Sequence, residues 1–430
     1  MLRFATSPTG DMHIGTLRLA ILNYLIAQQQ KESFTIRIED TDTKHVIEGK
    51  DTEIMQVLEK FALIHESVFH QSEHLHMHQT MVIKLLEQNK AFVCTCSKDE
   101  IEAEKSKAKA NNITYCYSGK CENKDKSERL KLKESGTPFV LRIKKPIHDI
   151  IYHDLIQGDV TSSPNEVDAF VILSEDGIPT ENFASVCDDM LSGITMVIRE
   201  KNHSLDTAKH IHIKEQLGFD AEIKYAHLPI ISTSNNTEDI LVKWLFEQGY
   251  IPDAIINYML LLGNAHTKQE IFTLPEAIEW FNLNDISNSE ATFDIEKLRF
   301  INREHLKRMD NILLSSLFGF ADADVGKLVK LYLSEASTIN ELALKIRPIF
   351  APKDFEGKWS KQMRIIEPLI QDAPMFSEFN AFQTYVMQKS GLTGEDFINP
   401  LRLLLTSAEH GPELSDIYPH IKSYLLEIAS

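Results

Sequence analysis

The feature that most constrains this chain is its opening 45 residues, where an apolar run, a turn-rich loop, a helical repeat and an alternating run follow one another. Leu2–Ala5 predicts a short strand, and Thr6–Asp11, with Ser7, Pro8 and Gly10, predicts a loop. From Gly15 the apolar residues Leu17, Ala20, Ile21, Tyr24 and Leu25 recur at helical spacing. Phe34, Ile36 and Ile38 then alternate with Thr35 and Arg37, and Glu39, Asp40 and Asp42 close the run. A strand–loop–helix–strand start with polar residues at the strand ends is how an open α/β sheet forms a ligand crevice. The loop Ser7-Pro8-Thr9-Gly10-Asp11-Met12-His13-Ile14-Gly15 lies at the strand-to-helix junction. Glycines there let a phosphate approach the backbone, and the helix start offers unpaired N–H groups. An imidazole such as His13 can donate to phosphoryl oxygens as charge develops. An isolated His–x–Gly string is more often structural; it is the junction that points to phosphate.

At 430 residues the chain predicts about three domains at ~150 residues each. A 43% hydrophobic and 25% charged content is that of a globular protein with a real core. The net charge of −18 excludes a protein that coats nucleic acid nonspecifically, but leaves room for a local basic patch. Such a patch is offered by Lys98, Lys105, Lys107, Lys109 and Lys120, continuing through Lys124, Lys126, Arg129, Lys131, Lys133, Arg142, Lys144 and Lys145. A solvated helix face reads equally well. No apolar run approaches the roughly 20 residues a bilayer requires, so no membrane is expected as a partner. The start MLRFATSPTG lacks a secretory pattern, and five cysteines are too few for a disulfide scaffold; the expectation is cytoplasmic.

Val167–Leu173 predicts an apolar strand running into the Asp176-Gly177 turn, and an α/β stretch continues to about Gly263. Beyond residue 265 the pattern is essentially all helical, punctuated by Pro348, Pro352, Pro368, Pro374 and Pro400. Cys94-Thr95-Cys96, with a further pair of donors some twenty residues on in the stretch Cys116–Cys121, has spacing that suits tetrahedral zinc. Cys187, alone on an apolar segment, reads as core.

Read together, RFATSPTGDMHIGTLR (3–18), RIEDTD (37–42), NFASVCDDMLSGITMVIR (182–199), INYMLLLGN (256–264), FDIEKLRFINREHL (293–306) and PLRLLLTSAEHGPEL (400–414) resemble the bacterial glutamyl-tRNA synthetases along nearly the whole chain. The resemblance implies an α/β, Rossmann-type class I synthetase catalytic domain with an inserted acceptor-binding subdomain, followed by an all-α anticodon-binding domain. The implied divisions are 1–85 and 181–250 for the catalytic halves, 86–180 for the insertion, 251–305 for a helical stem-contact region and 306–430 for the anticodon-binding domain. It implies a glutamate–tRNA ligase: glutamate is activated with ATP and Mg²⁺ to glutamyl-adenylate and passed to the 3′ end of tRNA. The implied partners are L-glutamate and a glutamate- or glutamine-accepting tRNA, the implied state a monomer. His13 occupies the place of the family's "HIGH" element. By the same resemblance, Arg3, Ser7, Glu39, Glu181, Arg199 and His203 fall in the amino-acid site, and Thr9, Gly10, His13 and Gly15 in the ATP site. Structural zinc would be held by Cys94, Cys96, Tyr117 and Cys121, with Cys116 an alternative to the tyrosine. Arg347, Lys353, Lys358, Trp359 and Arg364 are candidates for anticodon contacts.

Three departures cluster at the same site. After His227-Leu228-Pro229-Ile230-Ile231 the family's lysine-rich "KMSKS" loop is shortened, and no lysine or arginine occurs before Lys243. Glu200-Lys201-Asn202-His203 stands where the family carries Gly-Glu-Asp-His, and Glu181 stands at a pocket tyrosine. Lys201 and Lys243 are the cations available to replace the missing lysines. Three readings follow: a ligase with an altered lysine contact, a degenerate paralogue that binds tRNA without charging it, or an enzyme of altered amino-acid choice.

Overall fold

The computed structural model describes residues 1–123, 136–233, 240–264, 267 and 269–429. The basic residues between 124 and 135, and most of the shortened loop at 234–239, lie outside the described residues. The chain divides into two compact units, Met1–Val242 with Met259–Phe293, and Lys243–Tyr258 with Asp294–Ser430.

The first unit begins as the periodicities require: β1 (Leu2–Thr6), α1 (Ile14–Gln30), β2 (Phe34–Ile38), α2 (Lys50–Lys60), β3 (Ser67–His70) and α3 (Leu75–Glu87). Then come β4 (Ala91–Cys94), α4 (Lys98–Ala110), β5 (Val140–Ile143), β6 (Ile150–Asp154), β7 (Gly158–Ser162), α5 (Pro164–Val167) and β8 (Val171–Leu173). The unit continues with α6 (Glu181–Leu191), β9 (Met196–Glu200), α7 (Ser204–Leu217), β10 (Lys224–Leu228), β11 (Ile231–Thr233) and β12 (Ala291–Phe293). The main sheet has seven strands in the order β3-β2-β1-β9-β10-β6-β7, parallel except for the β6–β7 hairpin. β1 therefore has β2 on one side and β9, some 190 residues away in sequence, on the other. This is a topological switch point, where the carboxyl ends of β1 and β9 open a crevice. β4, β5 and β8 form a separate antiparallel sheet. Val82, Leu85, Phe183, Val186, Cys187 and Ile213 pack α3, α6 and α7 into one core, so Cys187 is core as expected.

Several expectations are corrected. The strand expected over 167–173 is only Val171–Leu173: Pro164 opens a helical turn that the Ser163/Glu166 capping box fixes, and Asp168 turns the chain with φ 63°. Arg142 is not part of a basic surface, because the strand turns it inward, where it lies 4.3 Å over the Tyr117 ring and donates to the Ala169 carbonyl. The region after 265 is not all helix, since Ala291–Phe293 pairs in parallel with β11.

In the second unit Asp294 caps the helix Ile295–Arg308 by accepting from the Glu296 and Lys297 amides. Pro368 and Pro400 lie inside the helices Ser360–Gln371 and Glu395–Thr406 rather than ending them. Burial of Phe397, Leu401, Leu404 and Leu405 outweighs the one backbone bond lost at Pro400. Gly326 is required by packing, because a Cβ there would stand 2.0 Å from the Asn311 carbonyl oxygen. Lys353 is withdrawn from the anticodon candidates: it is buried and donates to the carbonyls of Pro348, Ile349 and Ala351. Its burial pushes the ammonium down to about 8. Trp359 is also buried, with the Lys358 ammonium 4.3 Å from its ring, while Arg347 and Arg364 are exposed.

Candidate active site

At the carboxyl ends of β1 and β9 lies a cavity of about 300 Å³. It brings together Arg3, Ser7, His13, Glu39, Glu181, Arg199 and His203. Thr9 and Gly10 lie on the exposed loop beside it, and Gly15 in the first turn of α1; none of the three lines the cavity. Lys201 is exposed on the turn that follows β9. Lys243 is exposed in the helix Val242–Glu247 and belongs to the second unit.

The wall is organised by a residue the sequence did not single out. Asp189, buried on α6, accepts from Arg3 Nε at 3.0 Å and Nη2 at 3.3 Å, and from Arg37 Nη1 at 2.6 Å. Burial alone would raise its carboxyl, but Arg3 and Arg37 hold it well below the usual carboxylate range. The bidentate fork of Arg3, expected to grip a substrate, is thus turned on Asp189. Arg37 also donates from Nη2 and Nε to Glu39 Oε1, at 3.1 and 3.2 Å, and Ser185 adds a 2.9 Å bond to the same oxygen. Glu39 is held rigidly at the cavity edge. The adjacent acids Asp188 and Asp189, set between the apolar pairs Val186-Cys187 and Met190-Leu191, are the sequence signal that marks this helix.

Arg199, at the end of β9, is held by neutral groups. Its Nη2 donates to the Thr207 hydroxyl and its Nε to His227 Nε2 at 3.3 Å. The opposite nitrogen, His227 Nδ1, donates to the buried Asp154 at 2.6 Å, which fixes the tautomer and leaves Nε2 an acceptor. Burial lowers the His227 imidazole against the pull of Asp154, so it stays neutral. Among the described residues no carboxylate ion-pairs with Arg199, and its charge remains for an anion in the cavity. His203 pairs with Asp206 at 3.1 Å.

Glu181 opens α6 and faces the cavity; burial, and then the charge of Glu39, raises its carboxyl above the usual range. Its charge therefore appears as pH rises and then opposes an incoming carboxylate. In Glu181→Gln the kcat/KM for the glutamate that the sequence resemblance leads us to expect as substrate should gain on the order of tenfold at the alkaline end and lose the wild type's decline with rising pH. A pH profile of glutamate-dependent pyrophosphate exchange measures this, and identical profiles for the two proteins would contradict it.

His13 caps α1, with Nδ1 accepting from the Thr16 amide at 3.4 Å and Nε2 2.9 Å from the Thr16 hydroxyl. Gly15 is required here: a Cβ would lie 2.7 Å from Glu200 Oε1 and 3.0 Å from the His13 ring. A carboxylate therefore rests against the start of α1, where the sequence led us to expect phosphate. The backbone on both sides of His13 is tied to the far end of the shortened loop, Ile14 N to Ile240 O and Val242 N to Met12 O, each at 2.9 Å.

A second cluster lies in the β4–β5–β8 layer. The sulfurs of Cys94, Cys96 and Cys121 lie within 4.8 Å of one another. The Tyr117 hydroxyl is 3.3 Å from Cys94 Sγ and 3.4 Å from Cys96 Sγ. The Cys96–Cys121 sulfur separation is 3.7 Å, close to the ~3.8 Å edge of a tetrahedron with 2.3 Å zinc–sulfur bonds. The donor set fits zinc. Cys116 turns away to Asp168 at 3.2 Å, so Tyr117 and not Cys116 completes the group. Burial pushes the Cys96 thiol up to about 11.

Comparison with known proteins adds the following. The family model described as tRNA synthetases class I (E and Q), catalytic domain, matches residues 1–300. The chain is 58% identical over 436 residues to "Glutamate--tRNA ligase 2" of a Sulfurovum species, covering all of both chains. It is 49% identical over 434 residues to "Glutamate--tRNA ligase 1" of a Nitratiruptor species, again over both full lengths. Among solved structures, a glutamate tRNA ligase from Elizabethkingia meningosepticum in complex with its amino acid matches with a TM-score of 0.82 and 26% identity, covering 99% of this chain and 97% of that one.

Proposed function

The chain belongs to the class I tRNA synthetases for glutamate and glutamine and is of the glutamate–tRNA ligase type, and from that premise we propose how its residues carry the reaction. Glutamate lies in the switch-point cavity with its ammonium on Glu39 and its side-chain carboxylate on Arg199, beside Arg3. The gathering of a rigid acid and an arginine lacking a carboxylate partner in one cavity carries this assignment. Ser7 and His203 border the same space, and Glu181 sets how well a negative substrate is tolerated. The glutamate α-carboxylate attacks the ATP α-phosphorus in line, the α–β bridging bond breaks, and pyrophosphate leaves with that electron pair. Thr9, Gly10 and the Gly15 amide receive phosphate oxygens, and His13 donates to charge developing there. A terminal ribose hydroxyl of the tRNA then attacks the adenylate carbonyl, giving glutamyl-tRNA and AMP. Catalysis is orientation and charge stabilisation, with no covalent bond to the protein. Mg²⁺ supplies further charge neutralisation on the triphosphate.

Lys201 and Lys243 are the cations we assign to the work of the missing loop lysines. Glu200 must yield its place by α1 when a triphosphate enters. The tRNA is one accepting glutamate or glutamine, and the protein acts in the cytoplasm as a monomer. Among the described residues no helix is long and apolar enough to cross a membrane. In the inserted layer Cys94, Cys96, Tyr117 and Cys121 would hold a structural zinc. In Cys121→Ser the bound zinc should fall by one equivalent per chain, as read by elemental analysis of dialysed protein, and an unchanged content would remove this assignment.

The test of the whole reading is glutamate charging of total tRNA with ATP and Mg²⁺, alongside a tRNA gel shift. Charging abolished by His13→Ala supports it. Binding without charging by any amino acid would leave a tRNA-binding relative, and charging with another amino acid would leave an altered pocket.

A further inference from the structure

α3 and α6 bring together three donor atoms that the reaction does not use. His74 ends the short turn Gln71–His74 before α3, and His78 lies one helical turn further on. Both face Asp188, the neighbour of Asp189 on α6. His74 Nδ1 is 2.8 Å and His78 Nε2 is 2.7 Å from the same oxygen, Asp188 Oδ1. The other oxygen accepts from Gln71 Nε2 at 2.9 Å.

Asp188 and His78 have no solvent exposure, whereas the His74 side chain is 29% exposed. Asp188 is thus a buried carboxylate whose ion-pair partners among the described residues are two imidazoles, and the buried Arg37 guanidinium acts on it only through space. A buried negative charge is costly unless a positive charge offsets it, and neutral imidazoles supply hydrogen bonds but no charge. His78 Nδ1 is buried without a hydrogen-bond partner, so the ring's one bond is the Nε2–H it gives to Asp188, a proton that a cation would replace. A cation among the three donors would answer the charge deficit directly.

We propose that His74, His78 and Asp188 form a site for a borderline divalent cation of the Zn²⁺ or Co²⁺ class, open to solvent on the His74 side. Two imidazoles and one carboxylate suit such ions, whereas Mg²⁺ and Ca²⁺ take oxygen donors. The three ligand atoms already lie within 4.8 Å of one another. A tetrahedral ion with bonds of 2.0–2.1 Å needs donor separations of about 3.4 Å, so each imidazole moves outward by roughly half an ångström. The partly exposed His74 has the room to do so. Water completes the coordination on the open side. Successive residues of a helix point about 100° apart, so α6 turns Asp188 toward α3 and Asp189 toward Arg3 and Arg37. An ion on Asp188 would fix the rotation of α6 and hold the arginine anchor of the cavity in place.

The experiment uses full-length protein freed of metal and titrated with Co²⁺. Co²⁺ on the cysteine cluster gives a sulfur-to-metal charge-transfer band, and Co²⁺ on imidazole and carboxylate gives only weak visible bands. The expected result is one equivalent bound without the charge-transfer band in the wild type. His74→Ala should lose that equivalent, or bind it at least ~100-fold more weakly, with the thiolate band intact. Asp188→Asn, which keeps the shape and an acceptor oxygen, should lose it too and cancel the rise in thermal midpoint that Co²⁺ gives the wild type. A wild type that binds no equivalent lacking the thiolate band overturns the proposal whether or not the variants fold. So does an unchanged equivalent in folded His74→Ala, and either outcome leaves a hydrogen-bonded His–carboxylate group.

Discussion

Replacing Asp189 with alanine is expected to destabilise the first unit by about 3–5 kcal/mol, because Arg3 is left buried without its carboxylate and Arg37 loses one of two. For a unit of this size that corresponds to a fall in thermal midpoint of about 10 °C. Asp189→Asn should lose most of the same stability, since it keeps the shape but not the charge. The pH dependence has a definite sign. The folded carboxyl titrates well below its unfolded value of about 3.9, so its contribution is fully present above that value and is lost as the solution is acidified below it. The variants should therefore show a flatter acid limb than the wild type. Thermal melts followed across pH measure both effects. A midpoint within 2 °C of wild type at neutral pH would mean that Asp189 does not anchor the arginines.

Arg199→Ala should behave in the opposite way, leaving stability close to wild type and removing function. Its partners Thr207 and His227 already lie 2.8 Å apart and can satisfy each other once the guanidinium is gone. Losing a desolvated charge-assisted contact costs about 3–4 kcal/mol, which predicts a 10²–10³-fold fall in glutamate kcat/KM. Arg199→Lys should recover only part of this, because an ammonium cannot reproduce the planar fork. Glutamate-dependent pyrophosphate exchange is the measurement. A loss below fivefold would place the substrate carboxylate elsewhere.

The contrast between these two arginine environments shows where sequence reading ends. β1, α1 and β2 were legible because their periodicities are local, and Glu39 follows from its place at a strand end. The thiol cluster was legible from its spacing; the geometry added only the choice of Tyr117 over Cys116. Asp189 was not legible, because its bonds to Arg3 and Arg37 cross 186 and 152 residues of chain. Nor was the commitment of the Arg3 fork, since a buried arginine in a first strand serves a substrate or a structural acid equally well. Lys353 and Arg142 misled for a related reason: sequence records a charge but not the carbonyls or the ring that receive it. Pro368 and Pro400 stop no helix, because packing outweighs a local rule.

The paired bonds around His13 have a further consequence for anyone rebuilding this enzyme. Ile240 and Val242 grip Met12 and Ile14 from both sides, and β11 is pinned to β12 at the other end of the intervening stretch. Loop length and imidazole position are therefore not independent variables. A graft restoring lysines between 233 and 240 will leave the histidine undisturbed only if the added residues bulge outward from both anchors. An insertion that slips the 240–242 register by one residue changes the histidine as surely as mutating it.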